Sequence, residues 1–133
     1  MLRRHLLLAL VLAATPNLAI ASEKKDEKKK GGGISFIQIR TLTAVITRPT
    51  GGRGVITVES GIDVADAKLR ERAELSEPRL RAAYIDFLQS YVSGLPIGAP
   101  VNADYLAREL QRQTDAVLGR PGAKLLIGSI LMN

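Results

Sequence analysis

The chain has 133 residues, 46% apolar and 24% charged, with a net charge of +6. This is the size and composition of one small globular domain. It contains no Cys, which excludes a disulfide framework and thiolate zinc sites. Aromatic residues are only 4%, so the core has to be aliphatic.

Residues 1–21 read as a secretory signal. Arg3, Arg4 and His5 form a short basic region, and an unbroken apolar run follows from Leu6 to Leu12. Thr15, Pro16 and Asn17 interrupt it, and Ala19-Ile20-Ala21 has the small-x-small form of a cleavage site before Ser22. The alternative is an uncleaved membrane anchor, although a full span needs about 20 apolar residues. Arg3-Arg4 also resembles a twin-arginine export signal. Either export route leads across a bacterial inner membrane into the periplasm. Cleavage removes His5, the single histidine. The mature chain then lacks the partners for Ser-His-Asp and Cys-His nucleophiles and for histidine metal sites.

Residues 22–33 read SEKKDEKKKGGG, with five Lys against three acids and no apolar side chain. Such a stretch buries nothing and predicts a flexible linker. Lys28, Lys29 and Lys30 offer a membrane-surface contact, worth about 1 kcal/mol per Lys near anionic lipid. The interleaved acids favour a solvated spacer instead. The fold is expected over residues 34–133.

Residues 35–47 are rich in Ile, Thr, Val and Phe and predict a first strand. Both of its faces carry apolar residues, which implies a central strand or a bulge. Pro49-Thr50-Gly51-Gly52-Arg53-Gly54 is read as a hairpin turn rather than a phosphate loop, since the Lys-Ser/Thr ending is absent. Residues 55–64 alternate cleanly. Ile56, Val58, Ser60, Ile62 and Val64 share one face, and Thr57, Glu59, Gly61 and Asp63 the other. Glu59 and Asp63 lie about 13 Å apart along a strand, too far for a glycosidase pair.

The period changes at Asp66, an N-cap candidate. A charged helical segment follows in which Arg70 and Glu74 have ion-pair spacing. Ser76-Glu77-Pro78 restarts the helix, and Leu80, Tyr84, Phe87, Leu88 and Tyr91 form its apolar side. Residues 93–100 break it. Asn102 caps a further helix whose buried side is Leu106, Leu110, Thr114, Val117 and Leu118, and Gly119 and Pro121 end it. Residues 124–131 predict a last strand, apolar on both faces and therefore central. The order is strand, strand, helix (in one piece or two), helix, strand. The fold class is α+β: a small antiparallel or mixed sheet with two or three helices on one face.

This order and the text on it resemble the periplasmic domain of the FliL family of flagellar basal-body proteins, over residues 34–132. The likeness rests first on Val58-Glu59-Ser60-Gly61-Ile62-Asp63-Val64 running into Ala65-Asp66-Ala67-Lys68-Leu69. The second carrier is Glu77-Pro78-Arg79-Leu80-Arg81-Ala82-Ala83-Tyr84-Ile85-Asp86-Phe87-Leu88, where a proline-arginine pair precedes small and apolar residues. Residues 102–119 and Leu125-Leu126-Ile127-Gly128-Ser129-Ile130-Leu131 resemble the family's next helix and last strand. The resemblance implies a stomatin-like fold that assembles in rings around the flagellar stator units and supports motility without catalysis. Arg79, Arg81 and Tyr84, on the helix that bears the likeness, are the candidate partner contacts.

Two other readings compete. One is an exported monomeric binding module for an acidic ligand or a cell-wall component. Removing Arg3 and Arg4 leaves a net charge near +4, of which the linker carries +2. The fold itself is thus too weakly basic for a polyanion partner. Nor are the two Phe and three Tyr interleaved with basic residues, as a nucleic-acid platform requires. The other is an enzyme. No Ser lies in a nucleophile motif, and no cofactor motif is present. The sequence therefore favours a non-enzymatic protein that self-associates through sheet edges and helix faces.

Overall fold

The alternation read in the second strand builds the centre of the molecule. The computed structural model describes residues 34–133; the signal, the linker and the Lys28–Lys30 membrane contact lie outside the described residues. Six elements follow one another: β1 (Phe36–Thr47), β2 (Arg53–Val64), α1 (Ala67–Leu75), α2 (Glu77–Ser93), α3 (Ala103–Leu118) and β3 (Ala123–Met132). The sheet order is β1-β2-β3, with both pairings antiparallel. The fold is α+β, with three helices against a three-stranded sheet.

β2, not β3, is the central strand, which corrects the placing of the last strand. Apolar residues on both faces of β3 do not mean two buried faces: Leu126, Leu131 and Met132 stay exposed. In β2, Ile56, Val58, Ser60, Ile62 and Val64 are all buried on the helix side, as the period of two requires.

β1 carries apolar residues on both parities because it has a bulge. Ile39 pairs with Ser60 and Leu42 with Val58, so Arg40 and Thr41 interrupt the register. Ile37 and Ile39 face the core before the bulge, and Leu42 and Ala44 face it afterwards. β3 repeats the device. Glu59 pairs with Ser129 and Ser60 with Ile127, leaving Gly128 as the extra residue. Both irregularities flank the same point of β2, Glu59-Ser60.

The turn joining β1 and β2 uses Gly51 and Gly52, at φ 88° and 82°, a region that only glycine enters without strain. On the outer face of the sheet the Phe36 ring lies over Gly61. A Cβ at Gly61 would sit 2.2 Å from Phe36 Cζ and 2.9 Å from the Ile37 carbonyl oxygen.

The helices cover the other face. Leu80, Tyr84, Leu88 and Val92 of α2 and Leu106, Leu110 and Leu118 of α3 close the core with Leu69 and Ala73 of α1. Each such leucine contributes about 1.5–3 kcal/mol through burial. Asp66 caps α1 by accepting from Leu69 N at 2.8 Å. Arg70 does not pair with Glu74; its guanidinium turns back to donate to the Val64 carbonyl at 2.9 Å. A fixed acceptor at the strand end outcompetes an exposed carboxylate, whose ion pair is worth only a few tenths of a kcal/mol. Asn102 Oδ1 caps α3 through Tyr105 N at 3.0 Å, and Gly119, at φ 80°, ends it.

Candidate interaction surface

The three residues singled out as partner contacts occupy different places. Tyr84 is fully buried and hydrogen-bonds Thr114 Oγ1. Thr114 gives its own proton to the Leu110 carbonyl at 2.7 Å, so the phenol is the donor between them. Burial pushes the Tyr84 hydroxyl up to about 12, against the smaller opposing effect of the Thr114 bond. Tyr84 is thus a core residue with no surface for a partner, because the inward stripe of α2 runs through it.

Arg79 and Arg81 tie elements together. Arg79 Nη2 donates to the Val117 carbonyl at 3.1 Å, and Arg72 Nη1 to the Leu118 carbonyl at 3.0 Å. The two guanidiniums satisfy the last turn of α3, where the helix dipole also favours cations. Arg81 Nη2 donates to the Thr41 carbonyl, in the β1 bulge, at 3.0 Å.

Arg81 belongs to a longer arrangement. Every edge strand exposes backbone donors and acceptors that invite another strand. Along β1 those at Arg40, Thr41 and Val45 are covered by one stripe of α2. Glu77 Oε1 accepts from Arg40 N at 3.3 Å, and Arg81 reaches Thr41. Gln89 engages Val45 twice, accepting from its N–H at 3.0 Å and donating to its carbonyl at 3.2 Å. Positions 77, 81 and 89 are four and eight residues apart, so all three lie on one side of α2. A glutamine amide has the donor and the acceptor of a peptide unit, and here it occupies the place of a neighbouring strand.

β3 is closed the same way over its first part only. Gln111 of α3 donates to the Ala123 carbonyl at 2.7 Å and accepts from Leu125 N at 2.8 Å. Among the described residues no side chain bonds the β3 backbone beyond Leu125. Val55 and Asn133 exchange both backbone bonds, at 3.2 and 3.0 Å. In an antiparallel ladder such pairs alternate with pairs that turn their groups outward. Met132 and Ile130, opposite Ile56 and Val58, therefore direct N–H and C=O away from the sheet. Beside them Leu131 is 59% and Met132 44% exposed, and residues 125–133 carry no charged side chain.

Two further surface features stand apart. Phe87, Tyr91 and Tyr105 cluster where α2 meets α3, with ring centroids 5.5–6.2 Å apart. Tyr91 OH accepts from Asn102 N at 2.9 Å, which anchors the start of α3. At the hairpin end, a hollow of about 370 Å³ lies between Val45, Leu95, Ile97 and Met132, with Arg53 in its wall. Among the described residues no three His, Cys, Asp or Glu side chains approach closely enough to hold a metal ion, and no helix is long and apolar enough to cross a membrane.

Gln89 and Gln111 escaped the sequence reading, since a single polar residue on a helix carries no periodic signal. The apolar run did mark residues 124–131 as a strand, but not that it forms an edge. Neither the family models nor the curated proteins compared with this chain give a match.

Proposed function

We propose that the chain is a non-enzymatic periplasmic scaffold of the bacterial flagellar basal body, related to the FliL proteins, that supports stator function through self-assembly and partner binding. The observation that carries this reading is the passage of β2 into α1 and then α2, residues 58–88, where the FliL-like text falls. The open half of β3 supplies a surface for association. The decisive experiment is deletion of the gene in its own host. Loss of swimming in soft agar at unchanged growth is expected; normal swimming sinks the flagellar role.

The second reading, an exported monomeric binding module, draws on the Phe87–Tyr91–Tyr105 cluster. Stacked rings at a surface suit a flat ligand such as a cell-wall sugar. Binding of cell-wall fragments, lost in Tyr105→Ala, by a protein that stays monomeric at every concentration would favour it.

A further inference from the structure

We infer that the open half of β3 is a self-pairing edge, and that two copies of this chain join there, antiparallel about a two-fold axis, into one six-stranded sheet. This deepens the self-assembly part of the scaffold reading and rests on it, but needs no flagellum.

Closure elsewhere comes first. Glu77, Arg81 and Gln89 occupy the β1 edge, and Gln111 occupies β3 as far as Leu125. On β3 what is left is residues 127–133, where Ile130 and Met132 direct backbone groups outward. Natural edges are usually blunted by charge or proline. This one has neither, and exposes Leu131 and Met132.

The identity of the occupant follows from self-complementarity. Antiparallel overlap of residues 127–133 with themselves sets Ile130 opposite Ile130 of the second copy. Leu131 then lies opposite Ser129, and Met132 opposite Gly128, where the missing side chain leaves room. No like charges meet, because the stretch has none. The residues 22–33 are a poor alternative occupant, since their lysines and acids have no partner along this edge. Pairing through β3 is isologous, each copy offering the same edge to the other.

The test uses the full chain, followed by sedimentation over a range of concentrations. A dimer is expected. Met132→Pro removes an outward N–H at a solvent-facing edge position, where proline is tolerated by a strand. Leu131→Lys sets a charge in the seam. Each is expected to weaken the dimer at least about tenfold while the circular dichroism of the fold is kept. Because the chain has no Cys, the double variant Ser129→Cys/Leu131→Cys is a clean second probe, expected to give a reducible dimer under mild oxidation. Val45→Cys, on β1, is expected to give none. A wild-type chain that stays monomeric overturns the inference. So does a dimer that neither substitution weakens, or one that the cysteine pair fails to trap. Motility is not read here, so failure of the flagellar role and failure of this pairing remain distinct results.

Discussion

Tyr84 joins α2 to α3 through one hydrogen bond at the centre of the core. Tyr84→Phe keeps the ring and leaves Thr114 with one bond fewer, at an expected cost of about 1 kcal/mol, read as a lower urea midpoint. The same hydroxyl sets an alkaline limit. Its folded pKa is raised to about 12 from an ordinary value near 10. The stability it contributes is therefore complete below pH about 10 and lost as pH rises towards 12. Unfolding midpoints measured across that window should fall more steeply for the wild type than for Tyr84→Phe. Asp66 works in the opposite direction. The Leu69 N–H, then Arg120 at 2.8 Å, hold its carboxyl below the usual range, and Lys68 adds to this against partial desolvation. Its contribution is present above pH about 4 and lost as pH falls through the depressed value. Asp66→Ala should lower the urea midpoint at neutral pH. Asp66→Asn should keep the cap and lose only the acid sensitivity. Gly61→Ala drives a methyl group at Phe36 and the Ile37 carbonyl, with an expected loss of about 1–3 kcal/mol in the same denaturant assay.

Among the elements, α2 has two tasks on two sides. Leu80, Tyr84, Leu88 and Val92 fill the core, while Glu77, Arg81 and Gln89 close β1. Gln89→Ala removes both bonds to Val45 and should expose that stretch of β1. Further association through β1 is then expected, seen by light scattering as species larger than a dimer. The sequence made the inward stripe readable because it recurs at helical spacing. The outward stripe was not readable, because Glu77, Arg81 and Gln89 look like any solvated side of a helix until β1 is placed beside them. The strands divide similarly. β2 alternates without a break, so its face was plain from the text. β1 shifts parity at Arg40-Thr41 and β3 at Gly128, so a strict period of two assigns half of each strand to the wrong side. Spacing alone does not separate a contact tyrosine from a core one at Tyr84, because a tyrosine on an amphipathic helix carries the same spacing whether its hydroxyl meets water or Thr114.

For the whole molecule, the two edges differ: α2 packs along β1 and bonds it at Arg40, Thr41 and Val45, whereas β3 beyond Leu125 has no such partner. An uncharged seam gains little from Coulomb attraction, so its dissociation constant should change little between low and high salt. An assembly held by surface ion pairs would weaken over the same range. Intact mass from separated soluble and membrane fractions of native cells tests the other large-scale expectation. A soluble species beginning at Ser22 fits export and cleavage; a full-length species in the membrane fraction fits retention as an anchor.

The sheet order also dictates a sequence of events during folding. β1 and β2 are joined by a short turn and can close as a hairpin within about 1–10 μs. β3 pairs with β2 only after residues 65–122 have been traversed, and such distant contacts form slowly. Until then the far side of β2 is an unfilled slot, bordered by the aliphatic residues that later make the core. A β3 from a neighbouring molecule fits that slot as well as the chain's own. Exchange of β3 between molecules therefore competes with correct folding whenever the chain is concentrated before its helices have docked.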